Sequence, residues 1–107
     1  MPSKSKTKGN TYEREVVKIL QDHGFMGVKR AWGSDGRSLG WSEKVDVISR
    51  YKDKEFKIQC KRRRVIPKWM SLQDVDLVMT RADRGDSIVV LTLTEFMIII
   101  GAEKNGS

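Results

Sequence analysis

Cysteine is nearly missing from this chain of 107 residues, where Cys60 stands alone. An internal disulfide and a cysteine-rich zinc site are thereby excluded. Long apolar runs are missing as well. The longest, Ile88 to Leu91 and Phe96 to Ile100, fall far short of the roughly 20 residues of a membrane-spanning helix. Lys4, Lys6 and Lys8 open the chain with no hydrophobic segment behind them, so the secretory pattern is absent and a cytoplasmic protein is expected. What remains is 38% apolar and 33% charged, enough for one small core under a heavily ionised surface. The length suits one domain, expected over residues 10–107 behind an arm at 1–9 that is rich in Lys, Ser and Gly and has nothing to bury.

The net charge is +7, from 21 basic and 14 acidic residues. Three cations lie in residues 1–8 and six in residues 57–68, with no acid in either stretch, so the rest of the chain is slightly acidic. A basic excess confined to two segments reads either as a surface for a polyanion, nucleic acid first, or as a solvated tail and strand end. Lys8 and the run Arg62-Arg63-Arg64 are the residues such a surface would use.

The first helix is expected to start at Asn10 or Thr11, where Asn10 and Glu13 have capping-box spacing, and to stop at Gly24. Tyr12, Val16, Val17, Ile19 and Leu20 share one arc of it. Glu13 lies inside that arc and Glu15 opposite. A carboxylate aimed at apolar neighbours needs a cap, a cation or a metal. Phe25 to Trp32 reads as a strand. Gly33 to Ser42 carries three glycines and is too long for a simple turn, and Arg37 and Trp41 within it can grip a phosphate and stack on a base, or pack as ordinary loop residues.

Val45 to Tyr51 and Phe56 to Arg62 are strand-like, and a turn at Asp53-Lys54 would set Asp46 opposite Lys61, Val47 opposite Cys60 and Ile48 opposite Gln59. Val45, Val47, Phe56, Ile58 and Cys60 then face the core, while Asp46, Arg50, Lys57, Gln59 and Lys61 share the other face. A second helix is expected at 71–82 on the spacing of Leu72, Val75, Val78, Met79 and Ala82, then a buried strand at 87–93 and another at 96–100. The order helix, three strands, helix, two strands describes an α/β fold, a mixed sheet with helices packed on it. No internal repeat is present.

Asp46, Gln59 and Lys61 beside a basic run have a definite chemistry. A phosphodiester is cleaved most readily where acids hold a divalent cation next to a base or cation that serves the attacking water. Asp46 can bind Mg2+ directly. Gln59 offers an amide oxygen, and the main-chain carbonyl of Cys60 another. Glu13 closes the site if its helix packs over the hairpin, and Lys61 can orient the water or neutralise charge on the phosphate. Glu43, three residues before Asp46, is a substitute acid, whereas Glu55-Phe56-Lys57 sits at the turn, too far along the strand to share the site. His23 is at the far end of the helix from Glu13, which suits a helix-end role.

The segments Lys8-Gly9-Asn10-Thr11-Tyr12-Glu13-Arg14-Glu15, His23-Gly24-Phe25, Val28 to Arg30, Gly33-Ser34, Val45-Asp46-Val47-Ile48 and Ile58-Gln59-Cys60-Lys61, in that order, resemble the archaeal-type Holliday junction resolvases of the PD-(D/E)xK nuclease superfamily, which also occur in phages. The likeness covers roughly residues 8–64. It implies a restriction-endonuclease-like core with a mixed five-stranded sheet flanked by helices, a homodimer, and cutting of four-way DNA junctions with Mg2+, for which Mn2+ substitutes. The setting would be a nucleoid or the cytoplasm of a phage-infected host. It places Glu13, Asp46, Gln59 and Lys61 on metal and catalytic positions, Arg14 and Arg30 on DNA-contacting positions and Ser34 on a loop serine. Gln59 stands where the family has Glu, and the loop before Asp46 is longer than the family's. A Gln-x-Lys variant also resembles some Mrr-type restriction nucleases. The alternatives are a nuclease of flaps or other branched DNA and a DNA-binding protein with weakened catalysis.

Overall fold

The computed structural model describes residues 4–31 and 42–104, with residues 4–8 described by their backbone alone. The order of elements is α1 (Lys4–Asp22), β1 (Met26–Arg30), β2 (Val47–Tyr51), β3 (Lys54–Ile58), a 3-10 turn at Lys68–Met70, β4 (Val78–Thr80), β5 (Ile88–Val90) and α2 (Leu93–Ile100). The chain divides into two compact units at Arg62 and Arg63, with the residues from Glu103 onward belonging to the first. Five strands are present, but among the described residues they form two antiparallel sheets, β1-β2-β3 and β4-β5, in place of one mixed sheet.

In the first unit α1 starts six residues earlier than its expected cap. Nothing between Lys4 and Asn10 breaks a helix: there is no proline, the lysines are good helix formers, and Gly9 costs only about 1 kcal/mol. Asn10 and Glu13 are therefore interior residues and not a capping box. The residues read as an arm from position 4 onward are helical. At the other end Gly24 takes φ 83°, as expected of a terminator, and His23 Nδ1 donates to the Ile19 carbonyl at 2.8 Å. The inward arc is as expected, with Glu13, Val16 and Leu20 buried and Glu15 exposed.

The hairpin β2-β3 forms, but its register differs. Val47 pairs with Ile58, Ile48 with Lys57 and Tyr51 with Lys54, so the turn is Lys52-Asp53, one residue earlier than expected. Lys52 takes the left-handed conformation (φ 55°), and its ammonium lies 5.5 Å from the centre of the Tyr51 ring, a cation–π contact that favours this turn. Moving the turn by one residue shifts the pairing by two. Within the paired strands each side chain therefore keeps its face: Val47 and Ser49 are buried and Lys57 is exposed, as are Gln59 and Lys61, but Asp46, expected on their exposed face, is buried. What is lost is the Asp46–Lys61 pairing.

Strand β1 pairs Met26 with Arg50 but Lys29 with Ile48, one residue out of step. Gly27, at φ 61°, supplies the left-handed residue of this bulge. The extra residue reverses the alternation of β1. Phe25 and Arg30 are five apart, an odd number that would send them to opposite faces of a regular strand, yet both lie on the α1 face. Phe25 packs 5.0 Å from Tyr51 and 5.9 Å from Phe56, centroid to centroid, and Arg30 stands opposite the fully buried Val47.

The second unit departs further from expectation. Residues 71–82 are not a helix: Asp74 takes φ 67°, the Ser71 hydroxyl accepts from the Gln73 N–H as a local turn, and Val78–Thr80 enters a strand. A short polar residue such as Ser71, whose hydroxyl bonds nearby backbone, competes with a helix, and the branched Val75, Val78 and Thr80 favour extension. Strand β5 is present but Ile88 and Val89 are about half exposed, so it is not the buried strand expected. Phe96–Ile100, expected as a strand, is helical. Thr92 caps α2 by accepting from the Glu95 N–H at 3.1 Å, and Gly101 at φ 79° ends it while the Ala102 N–H reaches the Met97 carbonyl. Two good caps outweigh the strand preference of three isoleucines.

Candidate active site

Asp46 is fixed by its main chain before its side chain is considered. Its carbonyl accepts from the Ala31 N–H at 2.9 Å, and its own N–H donates to the Ile58 carbonyl at 2.8 Å, which ties it to the segments on either side. Its carboxylate is buried, and Oδ2 accepts from the Cys60 N–H at 2.7 Å. A bond this short to an ionised acceptor is strong and directional. The chain turns out of β3 at this point, and the residue that steadies Asp46 is thus the one after Gln59.

Glu13 is the buried acid of α1. It is 4% exposed, and its Oε1 accepts from Arg30 Nε at 3.2 Å. The arginine also donates to Asn10 Oδ1 at 3.5 Å. Of the three compensations a sequence reading allows for Glu13, the cap is overturned, and the cation is Arg30. Only the bulge at Gly27 brings that arginine to the helix side.

The Cys60 thiol lies in the field of these charges. Burial pushes its pKa up to about 11, the negative charges of Asp46 and then Glu13 push it the same way, and Arg30 opposes them. Two carboxylates from different elements therefore act on one sulfur. The Tyr12 hydroxyl is raised too, by burial first and then by Cys60 and Glu15. An unreactive, protonated thiol is the consequence at neutral pH.

Of the remaining sequence candidates, Gln59, Lys61, Arg62, Arg63, Arg64 and Arg14 are exposed. Lys61 does not face Asp46 across the hairpin. Ser34, Arg37, Trp41 and the whole glycine-rich stretch 33–41 lie outside the described residues, as does the side chain of Lys8. Glu43 is exposed. Sequence reasoning placed Asn10 with Glu13 only as a cap and missed the contacts of Arg30 with both residues. The signal for Asn10 was available, since it is three residues before Glu13 and so on the same helix face.

The donor set suits a hard cation. Among the described residues no group of three or more His, Cys, Asp or Glu side chains gathers around one point, which argues against an all-protein cage. Two buried carboxylates are what Mg2+ uses when a substrate phosphate and waters complete its shell. Glu13 and Asp46 would hold such an ion.

Buried acids stand in α1 and just before β2, and the basic run Lys61 to Arg64 follows β3. Comparison with known families specifies the class. The model for the archaeal Holliday junction resolvases matches residues 4–96, and the chain belongs to that family, a family of nucleases that act on Holliday junctions. The match spans Glu13, Arg30, Asp46, Gln59 and Lys61. Neither a curated protein nor a solved structure matches the chain. No helix among the described residues is long and apolar enough to cross a membrane.

Proposed function

We propose that this protein is a magnesium-dependent endonuclease that hydrolyses phosphodiester bonds in four-way DNA junctions, with Mn2+ able to replace Mg2+. The observation that supports the reading is the pair of buried carboxylates, Glu13 and Asp46, in a chain of this family. The divalent ion, when bound, supplies positive charge against the phosphate and makes water a better nucleophile. Asp46 and Glu13 hold it, with the Gln59 amide oxygen and the Cys60 main-chain carbonyl as neutral donors. Lys61, exposed and two residues past Gln59, neutralises charge that builds on the phosphate or orients the attacking water. Arg14, Arg30 and Arg62 to Arg64, with Lys8, Ser34 and Arg37, hold the DNA backbone, so affinity falls as salt rises.

A homodimer fits this substrate, because paired cuts in a twofold junction call for two sites related by a twofold axis. Exposed Trp69, Met79, Ile98 and Ile99 provide apolar surface that a second copy can cover. The protein would work in a nucleoid or in the cytoplasm of a phage-infected host.

A second reading rests on Gln59. An amide in place of the family's carboxylate removes one negative charge from the ion site, which favours weaker Mg2+ binding and, at the limit, a DNA-binding protein with little hydrolysis. A flap or Mrr-like nuclease differs only in substrate. A gel comparing junction, flap and linear duplex with Mg2+ or with chelator separates the three. Mg2+-dependent products from the junction support the resolvase, products from flap alone support the related nuclease, and binding without products supports the third. Gln59→Glu is expected to keep or raise cutting and to lower the Mg2+ concentration required; a higher requirement contradicts the placement of Gln59.

A further inference from the structure

The contact between Arg30 and Glu13 is not the geometry of a permanent ion pair. The guanidinium edge formed by Nε and Nη2 matches both oxygens of one carboxylate, but here it is divided: Nε meets Glu13 at 3.2 Å and Nη2 meets Asn10 at 3.5 Å. Both distances are long for charge-assisted bonds, which run near 2.7–2.9 Å. Exposure is also lopsided. The Glu13 side chain is 5% exposed and that of Arg30 is 27%, so the acid is enclosed while its partner keeps a route to solvent.

Charge gives this loose grip a meaning. Glu13, Asp46 and Arg30 together carry −1, which repels a phosphate. A divalent ion on the two carboxylates turns the same three groups to +1, which attracts one. The arginine is then no longer needed on Glu13 and has a better partner in a phosphate oxygen, with which a guanidinium forms a two-pronged contact.

We propose that Arg30 is a cation held in reserve: it occupies Glu13 when ion and DNA are absent, and transfers to a DNA phosphate when the divalent ion takes the carboxylate. Ion binding and DNA binding then reinforce one another through one side chain, and by linkage the reinforcement is mutual. This inference rests on the reading of Glu13 and Asp46 as ion ligands. It makes Arg30 a competitor of the ion in the free protein, which a residue that merely props Glu13 in place is not.

Mn2+ binding to the DNA-free full-length chain, read from the electron paramagnetic resonance of unbound Mn2+, tests it. Arg30→Gln is expected to tighten Mn2+ binding by about fivefold or more, the low end of typical coupling between sites. Unchanged or weaker binding overturns the proposal, because a prop would be lost with the arginine. Asp46→Asn separates this failure from the other one. Uptake that depends on Asp46 but is not tightened by Arg30→Gln overturns the reserve role alone, whereas uptake indifferent to Asp46→Asn overturns the ion site and this inference with it. Should Arg30→Gln fail to fold, Asn10→Ala removes only the second tether and is expected to tighten Mn2+ by roughly twofold, the worth of one weak hydrogen bond; no tightening there contradicts the proposal equally.

Discussion

In the first unit Phe25 lies against Tyr51 and Phe56, and Val16, Leu20, Ala31, Val45 and Val47 are buried; in the second, Trp69, Met79, Ile88, Ile98 and Ile99 are each more than half exposed, and only Met97 and Ala102 are buried apolar residues. The first unit is held by side-chain packing between α1 and a three-stranded sheet. The second is ordered chiefly by local backbone devices: a two-stranded hairpin, the Thr92–Glu95 cap and the left-handed Gly101. The candidate site lies on the packed unit, where burial can hold two carboxylates in place. Most of the exposed large apolar residues lie on the other.

This contrast can be broken at several points. Phe25→Ala should remove about 3–5 kcal/mol from stability, the usual cost of truncating a buried aromatic, as read by urea unfolding; a loss under about 1 kcal/mol would deny the first unit its aromatic core. Next in size is the reactivity of Cys60. With its pKa raised from 9.0 to about 11, alkylation by iodoacetamide at pH 8 should be about 100-fold slower in the folded protein than in urea. The sign for stability follows: the folded form holds its proton longer than the unfolded form, so this contribution is complete below about pH 9 and is lost as pH rises through about 11. Asp46→Asn should speed alkylation, since it removes one of the charges that raise the thiol.

Smaller effects come from single polar and surface groups. Ser49 Oγ is buried with no hydrogen-bond partner among the described residues, so Ser49→Ala should raise stability by about 1 kcal/mol; a loss of stability would mean that the hydroxyl is satisfied. Ile98→Ser should change the unfolding free energy of dilute protein by no more than about 0.5 kcal/mol, as expected of an exposed position. If the homodimer proposal holds, the same substitution weakens self-association in sedimentation.

The two units also differ in how far they could be read from sequence. Glu13 was legible because a 3.6-residue period places it among Val16 and Leu20, and the hairpin faces were legible because strand alternation survives a two-residue shift of register. The partner of Glu13 was not, since one left-handed glycine at position 27 reverses the face of Arg30 and a simple alternation count misses it. In the second unit, the helical spacing of Leu72, Val75, Val78 and Met79 coincides with strand-forming residues broken by Asp74. The run of isoleucines at 98–100 hid a capping box that Thr92 and Glu95 display openly. Local capping and turn chemistry decided those elements, with little burial to overrule it.

The most direct test of the whole account is single-turnover cleavage of a four-way junction by the wild-type chain, Glu13→Gln and Asp46→Asn, each with Mg2+ and with chelator, alongside junction binding. The account predicts cutting by the wild type with Mg2+ only, and a loss of at least about 100-fold in either variant, the scale of removing one group that stabilises a transition state, while both variants still bind the junction. Cutting at the wild-type rate by either variant would contradict it.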